Sequence, residues 1–423
     1  MGLKTTIRKI KKAIRFYSLE NKRKKLIAEL ANKDKIKVAF LGYALGGSSD
    51  VFSGLYKLFA ADSRFEPYVV IVPNSHGTKD AMIEIQNQAK EYLDKLGIPY
   101  ICGYDVDSDS FVDIAKTINP DVVFMCHHYE WFPREFKIDN FMDKITYVFL
   151  YGCSLLENLK SHVNSKMHTF AHTVFYPTKM MIDYARSVSQ HPTRNICPVF
   201  LGSPKMDTLL PRHQYKNVWK TGNTHKKVIW APHHYDAPFS NFLECADLFL
   251  ALAEKYKDKI EFCFRPHPGL KFSLVNKNIW SQEQVDNYYK RWQELENGHV
   301  SSGEFVDLFY TSDAMILDSI AFIAEYSFTN KPALFVNKPD QTMSFNTFGQ
   351  AIKENIYNCY DVNDIEKFIK DVVLSGNDTK ARVRGQFVLD NMIPPNNKTA
   401  SENVYFYVLN EIFKQDIKEL HNV

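Results

Sequence analysis

Residues 301–336 read SSGEFVDLFYTSDAMILDSIAFIAEYSFTNKPALFV. Phe305 to Tyr310 has helical spacing, and Thr311-Ser312-Asp313 is an exposed turn. Ala314 to Leu317 is a wholly apolar strand that ends at Asp318. Ser319 falls where a helix N-cap is wanted, and the helix runs to about Phe328. Asn330-Lys331-Pro332 breaks it, and Ala333 to Val336 is the next apolar strand. This is a β-turn-α-β unit. Parallel α/β sheets bind ligands where strand carboxyl ends meet helix N-termini, and the free N–H groups there favour an anion such as phosphate.

The same rhythm extends in both directions. Upstream, strands are expected at Ile36 to Leu41, Tyr68 to Val72, Pro99 to Cys102, Asp121 to Cys126 and Ile145 to Leu150. A Gly-rich turn follows the first, with Gly46, Gly47 and Ser48 or Ser49 leading into a helix. The fourth strand ends in His127-His128-Tyr129-Glu130-Trp131, a candidate substrate lip. The fifth ends in Tyr151-Gly152-Cys153. His168 and His172 lie in a strand-like segment and read as core or edge histidines. A polar stretch, Tyr215 to Lys227, opens the second half. There Val228 to Trp230 leads into Ala231-Pro232-His233-His234, and Ile260 to Phe264 leads into Arg265-Pro266-His267-Pro268, whose two prolines clamp the loop. Helices follow at Asn241 to Tyr256, Gln282 to Leu295, Asp361 to Val373 and Ser401 to Phe413. Alternating strands and helices in both halves predict two doubly wound Rossmann-like domains, 34–207 and 208–423, facing a cleft.

The 423 residues carry a net charge of +3, but residues 1–30 hold ten Lys/Arg and two Glu, a net of +8, which leaves −5 for the rest. Leu3, Ile7, Ile10, Ile14 and Tyr17 fall on one helical face, with basic residues around them. Residues 1–33 are therefore expected to be a basic amphipathic helix at an anionic membrane surface. No nucleic acid partner is expected. Seven cysteines show no CxxC and no metal-ligand spacing, so reduced thiols and no metal are expected. No apolar run approaches the ~18 residues that span a bilayer, and no cleavable signal peptide is expected. The expected location is cytoplasmic, peripheral on the inner face of the cell membrane.

Four short matches in the second half resemble the CDP-glycerol glycerophosphotransferase family, the teichoic-acid polymerases and primases of glycosyltransferase-B architecture. Gly202-Ser-Pro-Lys-Met-Asp207 resembles G-x-P-R-x-D. Trp230-Ala-Pro-His-His234 resembles a strand ending A-P-T-x-R, without its threonine and arginine. Arg265-Pro-His-Pro268 resembles K-P-H-P. Ser312 to Asp318, with Lys331-Pro332 beyond, resembles S-D-x-x-I-T-D-Y-S-S…K-P, with Ile320-Ala321 where the family has serines. Asp318-Ser319 with Glu325 also resembles the D-S-G-G-x-x-E-E of UDP-sugar epimerases. The family's H-G-T-P histidine would fall at Tyr151.

The resemblance implies a nucleotide-activated donor, a CDP-alcohol, as substrate rather than a bound cofactor. It implies a polymer or lipid-linked acceptor. His267, His127, His128 and Tyr151 are the candidate catalytic residues. Arg265, Asp318, Ser319, Glu325, His233, His234 and Ser312 are the candidate nucleotide-binding residues. The implied activity is glycerophosphate or polyol-phosphate transfer in teichoic acid or capsule synthesis at the bacterial cell envelope. A glycosyltransferase using a nucleotide sugar, and a non-catalytic membrane-bound scaffold, are the alternatives.

Overall fold

The computed structural model describes residues 3–42, 50–75, 78–126, 132–150, 152–338 and 344–414, with side chains from residue 14. The chain divides into two units. The first comprises residues 1–154, 158–208 and 392–423, and the second comprises 155–157 and 209–391.

The first unit holds β1 (Ile36–Gly42), β2 (Phe65–Ile71), β3 (Tyr100–Cys102), a two-stranded hairpin of β4 (Tyr104–Asp105) and β5 (Ser110–Phe111), then β6 (Val122–Met125), β7 (Ile145–Phe149) and β8 (Thr173–Phe175). Its sheet is six-stranded and parallel, in the order β3-β2-β1-β6-β7-β8. The second unit holds β9 (Lys226–Ala231), β10 (Ile260–Phe264), β11 (Gly298–Val300), β12 (Ala314–Leu317), β13 (Ala333–Val336) and β14 (Tyr357–Cys359). It repeats the topology as β11-β10-β9-β12-β13-β14, again parallel. The central strands are mostly apolar, as in Val122–Met125 and Ala314–Leu317, because helices cover both faces, and charged residues such as Lys37, Lys226 and Glu261 fall near the strands' amino ends. In the second sheet, Trp230 stacks on Phe249 at 4.2 Å and on Phe264 at 4.9 Å, all three buried. In each sheet the strand order reverses beside the first strand, at β1/β6 and at β9/β12, and such a switch point opens a crevice outside the carboxyl ends.

Three expectations need correction. The helix Leu3–Leu30 is not a separate element. Phe16, Arg23, Ile27 and Leu30 are buried in the first unit. The Arg23 guanidinium donates to Phe170 O at 2.7 Å, Lys144 O at 3.2 Å and Thr146 Oγ1 at 3.3 Å. A charged residue therefore occupies a core position, and the apolar pattern did not reveal it.

The second correction concerns the C-terminal helix, Ala400–Phe413, which belongs to the first unit and not to the second. Asp207 accepts from Ala400 N at 2.7 Å and Ser401 N at 2.9 Å, capping that helix. Gly202, with φ +86°, is packed against Pro394 and Ala400, where an added Cβ would come within 3.0 Å of both. The Gly202-to-Asp207 motif is thus a clasp on this helix. Glu411 completes the attachment by accepting from the Tyr147 hydroxyl and lying 2.7 Å from His172 Nε2. The third correction is local: His168 lies in a short helix, Lys166–Phe170, and not in a strand.

Candidate functional site

The crevice at β9/β12 gathers several of the sequence candidates. β9 ends at Ala231, and residues 232–241 loop over to the helix Phe242–Lys255. Asp318, at the end of β12, is buried beneath that loop. Its Oδ1 accepts from His233 N and its Oδ2 from Asn241 N, each at 2.6 Å. One carboxylate therefore pins both ends of the loop. Burial raises this carboxyl to about 7, with the two backbone N–H bonds opposing the rise. Ser319 does occupy the N-cap position of the helix Ile320–Ser327, but its side chain makes no capping bond. The first N–H groups of that helix are consequently not satisfied by the cap side chain.

On the loops that follow β9 and β10 stand three imidazoles. The His233 and His267 rings stack at 4.4 Å and 30°. His234 lies 4.2 Å from His233 and 5.0 Å from His267. His267 N donates to Pro232 O at 2.9 Å, which joins the two loops. The Gly269 N–H donates to His267 Nδ1 at 3.0 Å. The approach is close: a Cβ at 269 would sit 3.2 Å from that nitrogen, so the imidazole would have to shift by a few tenths of an ångström to admit one. An Nδ1 that accepts carries no proton, so the neutral ring presents Nε2–H as a donor. Burial first, then the His234 ring, lowers His267 to about 4. Burial, with His267 and His234, lowers His233 to about 2. Both rings are therefore uncharged at neutral pH. His234 Nδ1 lies 2.6 Å from Asp236 Oδ1. Asp236 is held below its ordinary range by this bond, against partial burial.

The other candidates are placed differently. Arg265 is buried with its guanidinium committed to Ser301 Oγ at 2.9 Å and to Gly303 O, and it lies over the Phe305 and Phe322 rings. Burial lowers its pKa, while Cys263 and Glu325 oppose the shift. Glu325 is itself buried. Arg265 and Glu325 thus form part of the packing beneath the crevice. Ser312 stands at the amino end of β12, on the opposite edge of the sheet. There it donates to Phe309 O and pairs with the Tyr326 hydroxyl, both at 2.8 Å. Lys331 donates to the carbonyls of Tyr310 and Ser312 at that same edge, ending the helix Val306–Thr311. An open polar cavity of about 600 Å³, lined by His225, Lys226, Lys227 and Asp313 among others, also lies at this amino edge, away from His233, His234 and His267. His127, His128 and Tyr151, like the Gly-rich turn at 43–49, lie outside the described residues. Among the described residues, no group of three or more His, Cys, Asp or Glu is placed to hold a metal ion.

Asp236 was not singled out from the sequence. Its signal was the His-x-Asp spacing in Ala231-Pro-His-His-Tyr-Asp236, which in a tight turn brings the two side chains together.

No protein-family model matches this sequence, and a search of the curated proteins finds no significant match. Solved structures match over nearly the whole chain. A putative UDP-N-acetylglucosamine 2-epimerase from Listeria monocytogenes is 14% identical with a TM-score of 0.58, covering 91% of this chain and 98% of that one. The S. aureus MnaA–UDP co-structure is 13% identical with a TM-score of 0.55, covering 89% and 96%. A variant of the wall teichoic acid polymerase TagF, soaked with CDPG, is 14% identical with a TM-score of 0.54, covering 98% and 99%. At these identities the likeness is one of fold: two Rossmann-like domains of the glycosyltransferase-B type.

Proposed function

We propose that this chain is a transferase that moves a glycerophosphate, or a related polyol-phosphate, from a CDP-activated donor to a surface polymer or lipid-linked glycan. The observation that carries the reading is the linked set at the carboxyl ends of β9, β10 and β12: Asp318, just before the Ile320–Ser327 helix, holds His233 N, and His233 stacks on His267 with its Nε2–H donor. A helix N-terminus and a fixed neutral donor suit the phosphates of a nucleotide-activated substrate. The choice of CDP-alcohol is supported by the order of the four motif matches and by the TagF likeness.

In the reaction, an acceptor hydroxyl oxygen attacks the phosphorus that bears the alcohol. The bond from that phosphorus to the bridging oxygen breaks, and CMP leaves with the electron pair. His267 donates to the phosphate oxygens as charge develops on them. Its Nδ1 is occupied by Gly269, so it is not the base. The sequence offers His127 and His128 as base candidates in the first unit, and Tyr151 stands where the family's histidine would fall.

The chain is further proposed to sit on an anionic membrane through the first half of its N-terminal helix. Ile14 is 63% exposed and Tyr17 41%, while Phe16 is 4% exposed. At 100° per residue, the stripe through Ile14 and Tyr17 points about 150° away from the docked face of Phe16, Arg23, Ile27 and Leu30. Ile14 therefore stands on the exposed side of the helix, and Tyr17 is partly exposed beside the Arg194 guanidinium. No described helix is long and apolar enough to cross a membrane.

The test is a donor screen with the full chain and a polymer or lipid acceptor, read by chromatography of the released nucleotide. Acceptor-dependent CMP supports the proposal. Acceptor-dependent UDP or GDP, with CDP-alcohols intact, supports the nucleotide-sugar glycosyltransferase, a reading favoured by the UDP-bearing neighbour. Absence of any nucleotide binding by calorimetry would leave the scaffold.

A further inference from the structure

We infer that His234, oriented by Asp236, is the group that takes the acceptor's proton in the transfer, and that Asp236 is its positioning residue. The inference rests on the transferase reading above. It begins from a division of labour between two neighbouring imidazoles. His267 has its Nδ1 filled by the Gly269 N–H, so its Nε2 can only donate while the ring is neutral. His234 has the opposite arrangement. A carboxylate oxygen can only accept, so the 2.6 Å contact with Asp236 fixes a proton on His234 Nδ1. Its Nε2 then carries a free lone pair, and among the described residues no hydrogen bond to it is found. The ring centroids are 5.0 Å apart with their planes at 65°, so the donor ring and the acceptor ring are immediate neighbours.

The loop that carries the dyad is held by Asp318 and Ser273 from outside and by one bond of its own. Asp318 pins His233 and Asn241. Tyr235 N donates to Ser273 Oγ at 3.0 Å, and Ala237 N donates to His234 O at 3.1 Å. Such fixation is what a general base needs. The titratable or charged neighbours of the dyad are His233, His267 and, from the end of the next helix, Lys277.

The step balances. The acceptor O–H bond breaks as its oxygen bonds to phosphorus, and the proton passes to His234 Nε2. CMP departs, the imidazolium is balanced by the Asp236 carboxylate, and the proton is then lost to water.

The experiment measures donor binding by calorimetry and transfer by nucleotide release in the full chain, its His234→Ala variant and its Asp236→Asn variant. His234→Ala is expected to lower kcat by about 10²-fold or more, leave donor Kd within about threefold, and regain rate with added imidazole. Asp236→Asn is expected to lower kcat about tenfold without changing KM. A wild-type chain that turns over while His234→Ala keeps kcat within about threefold overturns the dyad and leaves the transferase reading standing. A wild-type chain that turns over no nucleotide donor overturns both.

Discussion

Asp318→Ala is expected to loosen the loop over the second-unit crevice without unfolding the sheet beneath it. In the native chain each carboxylate oxygen takes one backbone N–H, from His233 and from Asn241, at 2.6 Å. Alanine orphans both donors. A buried donor left without a partner costs about 1–3 kcal/mol, so the two together cost about 2–6 kcal/mol. The loop recovers this by opening to water. At ~1.4 kcal/mol per decade, each amide should then exchange about 5- to 150-fold faster. Hydrogen–deuterium exchange by mass spectrometry, on peptides spanning residues 231–242, reads this directly. Peptides from β6, in the first unit, serve as the control. Asp318→Asn keeps one carbonyl oxygen, so one end of the loop should stay protected while the other opens. Exchange at both ends within about twofold of the wild type, in a folded Asp318→Ala chain, would refute the clamp.

His267→Ala should lower turnover by about 10²-fold, as loss of a transition-state donor does, with the thermal midpoint nearly unchanged because Pro266 and Pro268 still fix the loop; steady-state kinetics and a melt check this. The contribution of His267 and His233 to stability should be full above pH ~6.5 and decline toward pH ~4, because an unfolded imidazole gains a proton near 6.5 that folded His267 refuses until about 4 and His233 until about 2, while Asp318, raised to about 7, works in the opposite direction over the same range. Melts across that range should show the slope, and His267→Gln should flatten it by about one proton. On the N-terminal helix, Ile14→Glu should weaken sedimentation with phosphatidylglycerol vesicles and leave folding intact. Arg23→Ala should destabilise the first unit by about 2–4 kcal/mol, because it strands buried carbonyls; denaturant unfolding separates the two effects.

The two parallel sheets were legible because their strands are short, apolar and spaced by helical stretches. The register of helix and strand around Ala314–Leu317 was read correctly from the turn residues on either side. Other features were hidden for definite reasons. Arg23 looks like part of a solvated basic run, and only three acceptors from distant segments make it a core residue. The return of Ala400–Phe413 to the first unit depends on Asp207 and Glu411, contacts nearly two hundred residues or more apart in sequence. Ser312 is a different case. The direction of β12 already puts it at the amino end, yet motif similarity grouped it with residues of the carboxyl edge. Asp236 escaped because a lone acid in a loop has no periodicity to mark it.

The return of the last helix has a consequence for how the chain is made. The first unit is begun first but lacks its covering helix, which brings Tyr405, Tyr407 and Phe413 against Phe59, Phe175 and Phe65. Residues 209–399 must leave the ribosome before that helix appears, about 10–40 s at ordinary synthesis rates. Meanwhile the second unit, nearly all of it one uninterrupted run, is already complete. Folding order is thus expected to invert sequence order, and pulse proteolysis of stalled nascent chains should find the second unit protected before the first. During that interval an aromatic face stands open on the nascent polypeptide, a natural client site for chaperones.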